Sequence, residues 1–220
     1  MTEEVSFQDV EAGTGKSNVG WKKIQFCADK AAADGLRYFW IDTCCINQSN
    51  KIEVADFIKS MYLWYAQSKK CFVYLEDVDE LDPQSSVEDQ MRAARWFTRG
   101  WTLQGLIAPK EVEFYSSNHT LLGTKKTYSK LINETTKIPV DAFCNEEPLS
   151  AFSLAQRFHW RSRRSTKRDE DTAYSLLAIL EVDIEIIYGG ENQAFSRLLN
   201  EVARREGGML KRNLIGNAAY

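Results

Sequence analysis

Residues 37–75 read RYFWIDTCCINQSNKIEVADFIKSMYLWYAQSKKCFVYL, and their character changes repeatedly along the chain. The run 37–42 is rich in aromatic and β-branched residues and lies between a glycine and a polar segment, which is typical of a buried strand. Residues 52–69 place apolar side chains on one helical face, and 71–75 form a second apolar strand pattern. Since an amphipathic helix pattern also covers 21–33, the order helix, strand, helix, strand predicts parallel βαβ units.

Farther along the chain, the pattern predicts one more strand and then helices. Residues 112–115 form a third strand pattern, and a helix is expected to begin near Thr98 and to end before Pro109. The acidic stretch 76–92 is expected to be an exposed loop or a partly helical insertion. Four helical patterns lie beyond residue 120, with no convincing strand among them. The predicted organisation is an α/β core over about 1–120, a helical part over about 121–205 and a C-terminal tail over 206–220.

Composition narrows the classes of function. The chain has 220 residues, 44% of them hydrophobic and only 4 of them proline, which is typical of a folded globular protein. Its 28 Lys and Arg residues against 31 Asp and Glu residues give a net charge of -3, which argues against a nucleic-acid partner. No apolar stretch approaches the length of a bilayer span, and the acidic N-terminus does not resemble a secretory signal. We therefore expect a cytoplasmic protein without a membrane partner.

The cysteines and histidines indicate no metal site. The cysteines are odd in number and have no C-x-x-C spacing: Cys27, Cys44, Cys45, Cys71 and Cys144. The two histidines, His119 and His159, lie far apart and in no recognisable catalytic triad. We expect small buried thiols rather than a disulfide scaffold, with redox activity of Cys44-Cys45 as the alternative.

Asp42 follows the first predicted strand and is a candidate binding residue. The carboxyl end of a parallel strand is where open α/β sheets form their ligand crevice, so Asp42 could contact a ligand there. An aspartate at this position could equally cap the turn that follows.

Two other segments suggest phosphate binding. The segment Gly13-Thr-Gly-Lys-Ser17 resembles the end of a nucleotide-binding P-loop, but Val10 stands where the first glycine is required, so we interpret the segment as a flexible loop. A basic cluster precedes three acidic residues at a predicted helix start, and it consists of Arg163, Arg164, Lys167 and Arg168. This cluster could hold a phosphate or pyrophosphate, or it could be a solvated face with local ion pairs.

Several segments together resemble the fungal heterokaryon incompatibility (HET) domain family. They occur in the order of that family and cover roughly residues 4–202. The segments are Glu4-Val-Ser-Phe-Gln-Asp9, Tyr38-Phe-Trp-Ile-Asp-Thr-Cys-Cys-Ile46, Ser60-Met-Tyr-Leu-Trp-Tyr65, Arg95-Trp-Phe-Thr-Arg-Gly-Trp-Thr-Leu-Gln104, Leu106-Ile-Ala-Pro109, Arg168-Asp-Glu-Asp-Thr-Ala-Tyr-Ser-Leu-Leu177, Tyr188-Gly and Ala194-Phe. The resemblance predicts a HET domain over 1–205.

The resemblance implies a cytoplasmic module that triggers programmed cell death when genetically unlike hyphae fuse. Such modules often act within, or with, a larger receptor-like protein. The core of the family is similar to TIR domains, which have a flavodoxin-like parallel sheet flanked by helices, and some of which cleave NAD+ between nicotinamide and ribose. In those domains a glutamate supports the loss of nicotinamide, because a carboxylate can bind the ribose and stabilise positive charge at the reacting carbon.

Two departures from the family pattern change this expectation. The family pattern Trp-Thr-Leu-Gln-Glu-Leu has its glutamate at the position that Gly105 fills, so the expected catalytic carboxylate is absent. A glycine in mid-helix is also unfavourable by about 1 kcal/mol relative to alanine, so helix propensity does not explain it. The family usually begins with an apolar strand before Glu4, and its absence here predicts a truncated sequence, a poorly stable chain or a borrowed strand.

Two functions therefore stay open. The first is an NAD-cleaving effector fold inactivated by Gly105, which keeps NAD as a possible substrate or ligand in a cleft near Asp42, Arg99, Trp101 and Arg168, with no cofactor required. The second is a non-catalytic module that signals by self-association.

Overall fold

The computed structural model describes residues 4–189 and 193–205, and it divides into two compact units between Ile58 and Lys59. The N-terminal unit contains helices α1 (Phe7–Glu11) and α2 (Trp21–Ala33), and helix α3 (Lys51–Gln67) runs across the division. The predicted helices 21–33 and 52–69 are confirmed as α2 and α3.

Local hydrogen bonds and a small apolar cluster hold the N-terminal unit. Ser6 caps α1 reciprocally: the Asp9 amide donates to Ser6 Oγ at 3.2 Å, and the Ser6 amide donates to the Asp9 carboxylate at 2.9 Å. Gly35, at a φ of +70°, allows the left-handed turn that ends α2. The buried cluster of this unit consists of Val5, Ile24, Ile41 and Cys44, with Trp21, Cys27 and Cys45 packed against it.

The strand predicted at 37–42 does not form. Tyr38 is 83% exposed and Phe39 is 39% exposed, so the aromatic run does not lie inside a sheet. Instead, the chain turns at its end, where the Cys45 amide donates to Ile41 O at 2.9 Å. The strand prediction is wrong because aromatic composition indicates only that a segment suits an extended, packed surface. It does not supply a neighbouring strand with which the segment can pair.

The C-terminal unit is built around a small mixed sheet, so the chain is an α/β protein. Its strands and helices in chain order are β1 (Cys71–Tyr74), α4 (Val87–Ala93), α5 (Thr102–Ile107), β2 (Val112–Tyr115), β3 (Leu121–Thr124), α6 (Ser129–Thr136), α7 (Val140–Phe143), α8 (Leu154–His159), α9 (Asp169–Tyr174), α10 (Leu177–Leu180) and α11 (Ala194–Arg205), with 3₁₀ turns at Arg95–Thr98 and Leu149–Ala151.

The sheet confirms two predicted strands and adds a third. Strands β1 and β2 are parallel neighbours, with Cys71 opposite Val112 and Tyr74 opposite Tyr115. Strand β3 pairs antiparallel with β2, so the expectation of helices alone beyond residue 120 is wrong. Its sequence signal is weak because Leu121 is exposed and Gly123 interrupts the strand.

The helix predicted from Thr98 begins later, at Thr102. Arg99 has extended backbone angles (φ −86°, ψ 139°), which separate the 3₁₀ turn from α5. The break occurs because the backbone here pairs with a distant segment: the Ser165 amide donates to Thr98 O at 2.7 Å, and the Gly100 amide donates to Ser165 O at 2.8 Å. Thr98 is therefore not the predicted helix cap, and Phe97 does not share a helical face with Gly105.

The predicted C-terminal helices form as α6, α8, α9 with α10, and α11. The third pattern, over 173–180, is split because the chain turns at Ser175 and Leu176. The predicted tail 206–220 and part of the predicted turn at 188–192 lie outside the described residues.

Candidate functional site

Two of the sequence motifs lie against each other in the C-terminal unit. The segment 98–102 runs beside 164–166 through the two backbone hydrogen bonds described above, and Arg99 and Ser165 form an isolated parallel bridge. Gly100 is required by this close approach, since a Cβ atom there would overlap the Thr166 methyl group. The structure therefore brings the Arg-Gly-Trp-Thr motif next to the start of the Arg-Asp-Glu-Asp motif, although more than 60 residues separate them in the sequence.

Arg164 lies buried at this junction. It is 8% exposed, and its Nη1 donates to Arg99 O at 2.9 Å and to Thr102 Oγ1 at 2.8 Å. Among residues 4–189 and 193–205, its Nη2 has no hydrogen-bond partner and no carboxylate forms an ion pair with it. Burial lowers the pKa of Arg164 to about 9, because a guanidinium removed from water loses the solvation that favours its charge. Arg164 therefore joins the two motifs, whereas its neighbours Arg163, Lys167 and Arg168 are exposed.

Gln104 makes a second connection between the same segments. Its side chain is 1% exposed, and Nε2 donates to Ser175 O at 3.0 Å. Its Oε1 is buried and has no hydrogen-bond partner within the described part of the chain. The sequence shows Gln104 only as the last residue of the motif that begins at Arg95, whereas the structure shows that it fastens α5 to the end of α9.

Gly105 is buried in α5, one turn beyond Trp101, which is the N-cap residue of that helix. A Cβ atom at position 105 would lie 3.7 Å from the nearest Tyr65 ring atoms and 3.8 Å from Trp96 Cζ2. These are ordinary van der Waals distances, so the backbone and its neighbours accept the start of a side chain here. The position faces aromatic rings and carries no carboxylate of its own.

Arg168 lies at the start of α9, in contact with Tyr188. Its guanidinium carbon lies 4.8 Å from the centre of the Tyr188 ring, a cation–π arrangement. The Tyr188 hydroxyl donates to Asp171 Oδ1 at 2.6 Å, and the Gly189 amide donates to Glu170 Oε1 at 3.0 Å. Burial, followed by the hydrogen bond to Asp171, raises the pKa of Tyr188. The acidic residues therefore fix the segment at 188–189 to α9.

The structure places the five predicted site residues in different settings. Asp42 lies half-buried in a turn of the N-terminal unit, and the strand end on which its predicted role rested is absent. Arg99, Trp101, Gly105 and Arg168 belong to the C-terminal unit, where Arg99 is exposed and its carbonyl oxygen binds Arg164. Within the described ranges, no group of three or more His, Cys, Asp or Glu side chains could hold a metal ion.

Lys125 is a buried residue that sequence reasoning missed. Its ammonium group donates to Leu106 O, Pro109 O and Asn145 Oδ1, and Asn145 Nδ2 donates to Ile107 O at 2.8 Å. Burial lowers the pKa of Lys125 to about 8. Lys125 also lines a groove of about 550 Å³ on the C-terminal unit, which none of the five predicted site residues lines. No sequence signal distinguishes Lys125 from the exposed Lys126 beside it.

Comparison with known proteins identifies the family. A family model described as "Heterokaryon incompatibility protein (HET)" matches residues 19–93. The chain is 43% identical over 210 residues to "Vegetative incompatibility protein HET-E-1" of Podospora anserina. The match covers 93% of this chain and 15% of that relative, so the chain spans only a small part of its length. No solved structure matches the chain. Among the described helices, none combines the length and the apolar character needed to cross a bilayer. On these two sequence matches, the chain belongs to the heterokaryon incompatibility (HET) family.

Proposed function

We propose that this chain is a HET module that acts in fungal heterokaryon incompatibility, in the cytoplasm, and promotes cell death after the fusion of unlike hyphae. The observation that carries this proposal is the 43% identity to a vegetative incompatibility protein over 93% of the chain. Because the match covers 15% of that relative, we propose that the module works with a larger receptor-like protein.

The finer proposal concerns chemistry at position 105. We propose that the module has a TIR-like core and that Gly105 leaves it without the carboxylate needed to cleave NAD+. The parallel pair β1 and β2 and the helix α5 that precedes β2 are compatible with such a core. Gly105 lies in α5 with the Tyr65 and Trp96 rings in front of it, so a longer side chain would extend toward these rings. NAD would be a substrate or ligand, and Arg99, Trp101 and Arg168 of the C-terminal unit are proposed to contact it.

A second candidate function is a non-catalytic module that signals by self-association. The exposed aromatic pair Tyr38 and Phe39 favours it, because exposed aromatic side chains are common in protein–protein interfaces. In a non-catalytic module, the glycine at position 105 would not affect the function through loss of a catalytic group.

The role in incompatibility is testable by exchange of the module. Since Gly105 is proposed to remove NAD+ cleavage, we expect that the Gly105→Glu form of this chain, placed in HET-E-1 of Podospora anserina in place of the matching segment, supports vegetative incompatibility against tester strains. The same chimera with Gly105 should support it only if the module signals without cleaving NAD+. A chimera carrying Gly100→Asp is the control, because the larger side chain cannot fit against Thr166 and should disrupt the module. If the chimera accumulates to the normal level and gives no incompatibility in any cross, the proposed role is wrong.

A further inference from the structure

Three cysteines lie together in the N-terminal unit, and the proposed function uses none of them. Cys44 belongs to the buried cluster, while Cys27 of α2 and Cys45 pack against it. All three thiols are free, and Cys45 is partly exposed, so small molecules can reach it. The proposed function depends on position 105 and leaves this cluster without a role.

One backbone donor points at the sulfur of Cys45. The turn at 41–45 brings the Ile41 amide within 3.4 Å of Cys45 Sγ, and the adjacent residue Cys44 belongs to the buried cluster against which Cys45 packs. Hydrogen bonds to a sulfur favour its deprotonated form, which is the nucleophilic one. The neighbouring charges oppose each other: the Asp42 carboxylate disfavours ionisation of both Cys44 and Cys45, while Lys23 favours ionisation of Cys44.

The three thiols also differ in pKa: that of Cys45 is lowered, and those of Cys27 and Cys44 are raised. The interaction with Cys44 lowers the pKa of Cys45 to about 6, against the opposing effect of its partial burial. The same interaction, together with burial, raises the pKa of Cys44, and burial raises the pKa of Cys27 to about 11. Among the three thiols, deprotonation is therefore favoured at Cys45.

We propose that Cys45 is a site of reversible oxidation by peroxides, with Cys44 as the thiol that closes a disulfide with it. In the first step, the Cys45 sulfur attacks one peroxide oxygen, the S–O bond forms and the O–O bond breaks. The leaving hydroxide takes up a proton and becomes water. Cys45 is thereby oxidised by two electrons to a sulfenic acid, and the peroxide is reduced.

In the second step, the Cys44 sulfur attacks the sulfenic sulfur, the S–S bond forms and the S–O bond breaks. The hydroxyl group leaves as water with the proton of Cys44. Adjacent cysteines have Cα atoms about 3.8 Å apart, closer than in ordinary disulfides, so the product is strained and easily reduced by cellular thiols.

Mass spectrometry after trypsin digestion tests the proposal, because the cysteines fall in different peptides. Peptide 38–51 contains Cys44 and Cys45, and peptide 24–30 contains Cys27. After brief exposure of the whole chain to hydrogen peroxide, we expect peptide 38–51 to lose two hydrogen atoms in mass and to regain them with a thiol reductant. In Cys44→Ser, dimedone should instead label Cys45, and in Cys45→Ser the peptide should stay unmodified. The control Cys71→Ser should behave as the parent chain.

Three results would overturn the proposal. They are a disulfide that links peptides 24–30 and 38–51, dimedone labelling of Cys45 that is equal in the parent chain and in Cys44→Ser, and oxidation of Cys45 no faster than that of Cys71. Circular dichroism checks that each variant is folded. If Cys45→Ser is unfolded, Cys45→Ala is used in its place. Independently of peroxide, alkylation of Cys45 should reach half its maximal rate near pH 6, below the range of an ordinary thiol.

Discussion

Gly100 lies where two distant segments of the chain approach each other closely. Its amide donates to Ser165 O at 2.8 Å, and no space exists for a side chain because the Thr166 methyl group occupies the direction of a Cβ atom. Thr166 is itself held by hydrogen bonds of its hydroxyl group to Arg168 O and to Thr172. The glycine is therefore a packing requirement between the two motifs.

We predict that Gly100→Ala lowers the free energy of unfolding by about 1–3 kcal/mol, because the added methyl group forces the two segments apart. Thr166→Ser removes the methyl group that would clash and keeps the hydroxyl group. In the Thr166→Ser background, Gly100→Ala should therefore cost at least about 1 kcal/mol less, as a double-mutant cycle by urea denaturation would measure. Equal costs in the two backgrounds would show that Thr166 does not impose the glycine.

The buried cation Arg164 could be anticipated only in part. The sequence places it in a basic cluster, and solvation or phosphate binding is the usual meaning of such a cluster. Arg164 is buried because residues 98–100 pair with Ser165. No local sequence pattern indicates this long-range contact. Gly105, in contrast, could be singled out from sequence, because glycine is unfavourable in a helix and the family pattern has a different residue there.

At the scale of elements, helix α5 ends on a buried cation. The last carbonyl groups of a helix lack partners within it, and here Lys125 and Asn145 bind those of Leu106 and Ile107. A positive charge at this end of a helix is also favourable because of the helix dipole. Burial nevertheless opposes that charge and lowers the pKa of Lys125 to about 8.

This shift predicts a pH dependence of stability. The unfolded chain, with an ordinary lysine pKa near 10.4, binds more protons than the folded chain between about pH 8 and pH 10, so the contribution of Lys125 to stability rises with pH in that window. We expect the difference in unfolding free energy between the parent chain and Lys125→Met to change by on the order of 2–3 kcal/mol from pH 8 to pH 10, in favour of the parent. Lys126→Met is the control, since Lys126 is exposed. A difference that stays constant with pH would contradict the lowered pKa.

The strands differ in how far the sequence determines them. Residues 71–74 and 112–115 are short apolar runs that pair with each other in parallel, as predicted. Leu121–Thr124 lies at an edge of the sheet, as β1 does, but Leu121 is exposed and Gly123 has no side chain, so its composition gives a weaker strand signal. The aromatic run at 37–42 has the right composition for a strand, yet Tyr38 and Phe39 are exposed. Composition reports what a segment could pack against, whereas strand pairing depends on a partner elsewhere in the chain.

At the scale of the whole molecule, one residue, Gly105, separates this chain from the glutamate-containing pattern of the family that its motifs resemble. Sequence comparison shows the family, and the α/β class and most helices follow from hydrophobic periodicity. The proposed loss of chemistry rests on Gly105, whose surroundings in the C-terminal unit accept a Cβ atom without a clash. A Cβ atom can therefore be introduced there without a clash, and a Gly105→Glu variant that circular dichroism shows to be folded makes the proposal open to experiment.

Nicotinamide release from NAD+ tests this central claim most directly. The parent chain, Gly105→Ala and Gly105→Gln should release nicotinamide at the background rate, because none of them has a carboxylate at position 105. Gly105→Glu, which matches Gly105→Gln in size, should exceed that background by on the order of 10²-fold or more, the usual effect of a group that stabilises charge in the transition state. Release by the parent chain at the rate of Gly105→Glu, or background release by a folded Gly105→Glu variant, would contradict the claim, and the second result would leave the self-association module as the function.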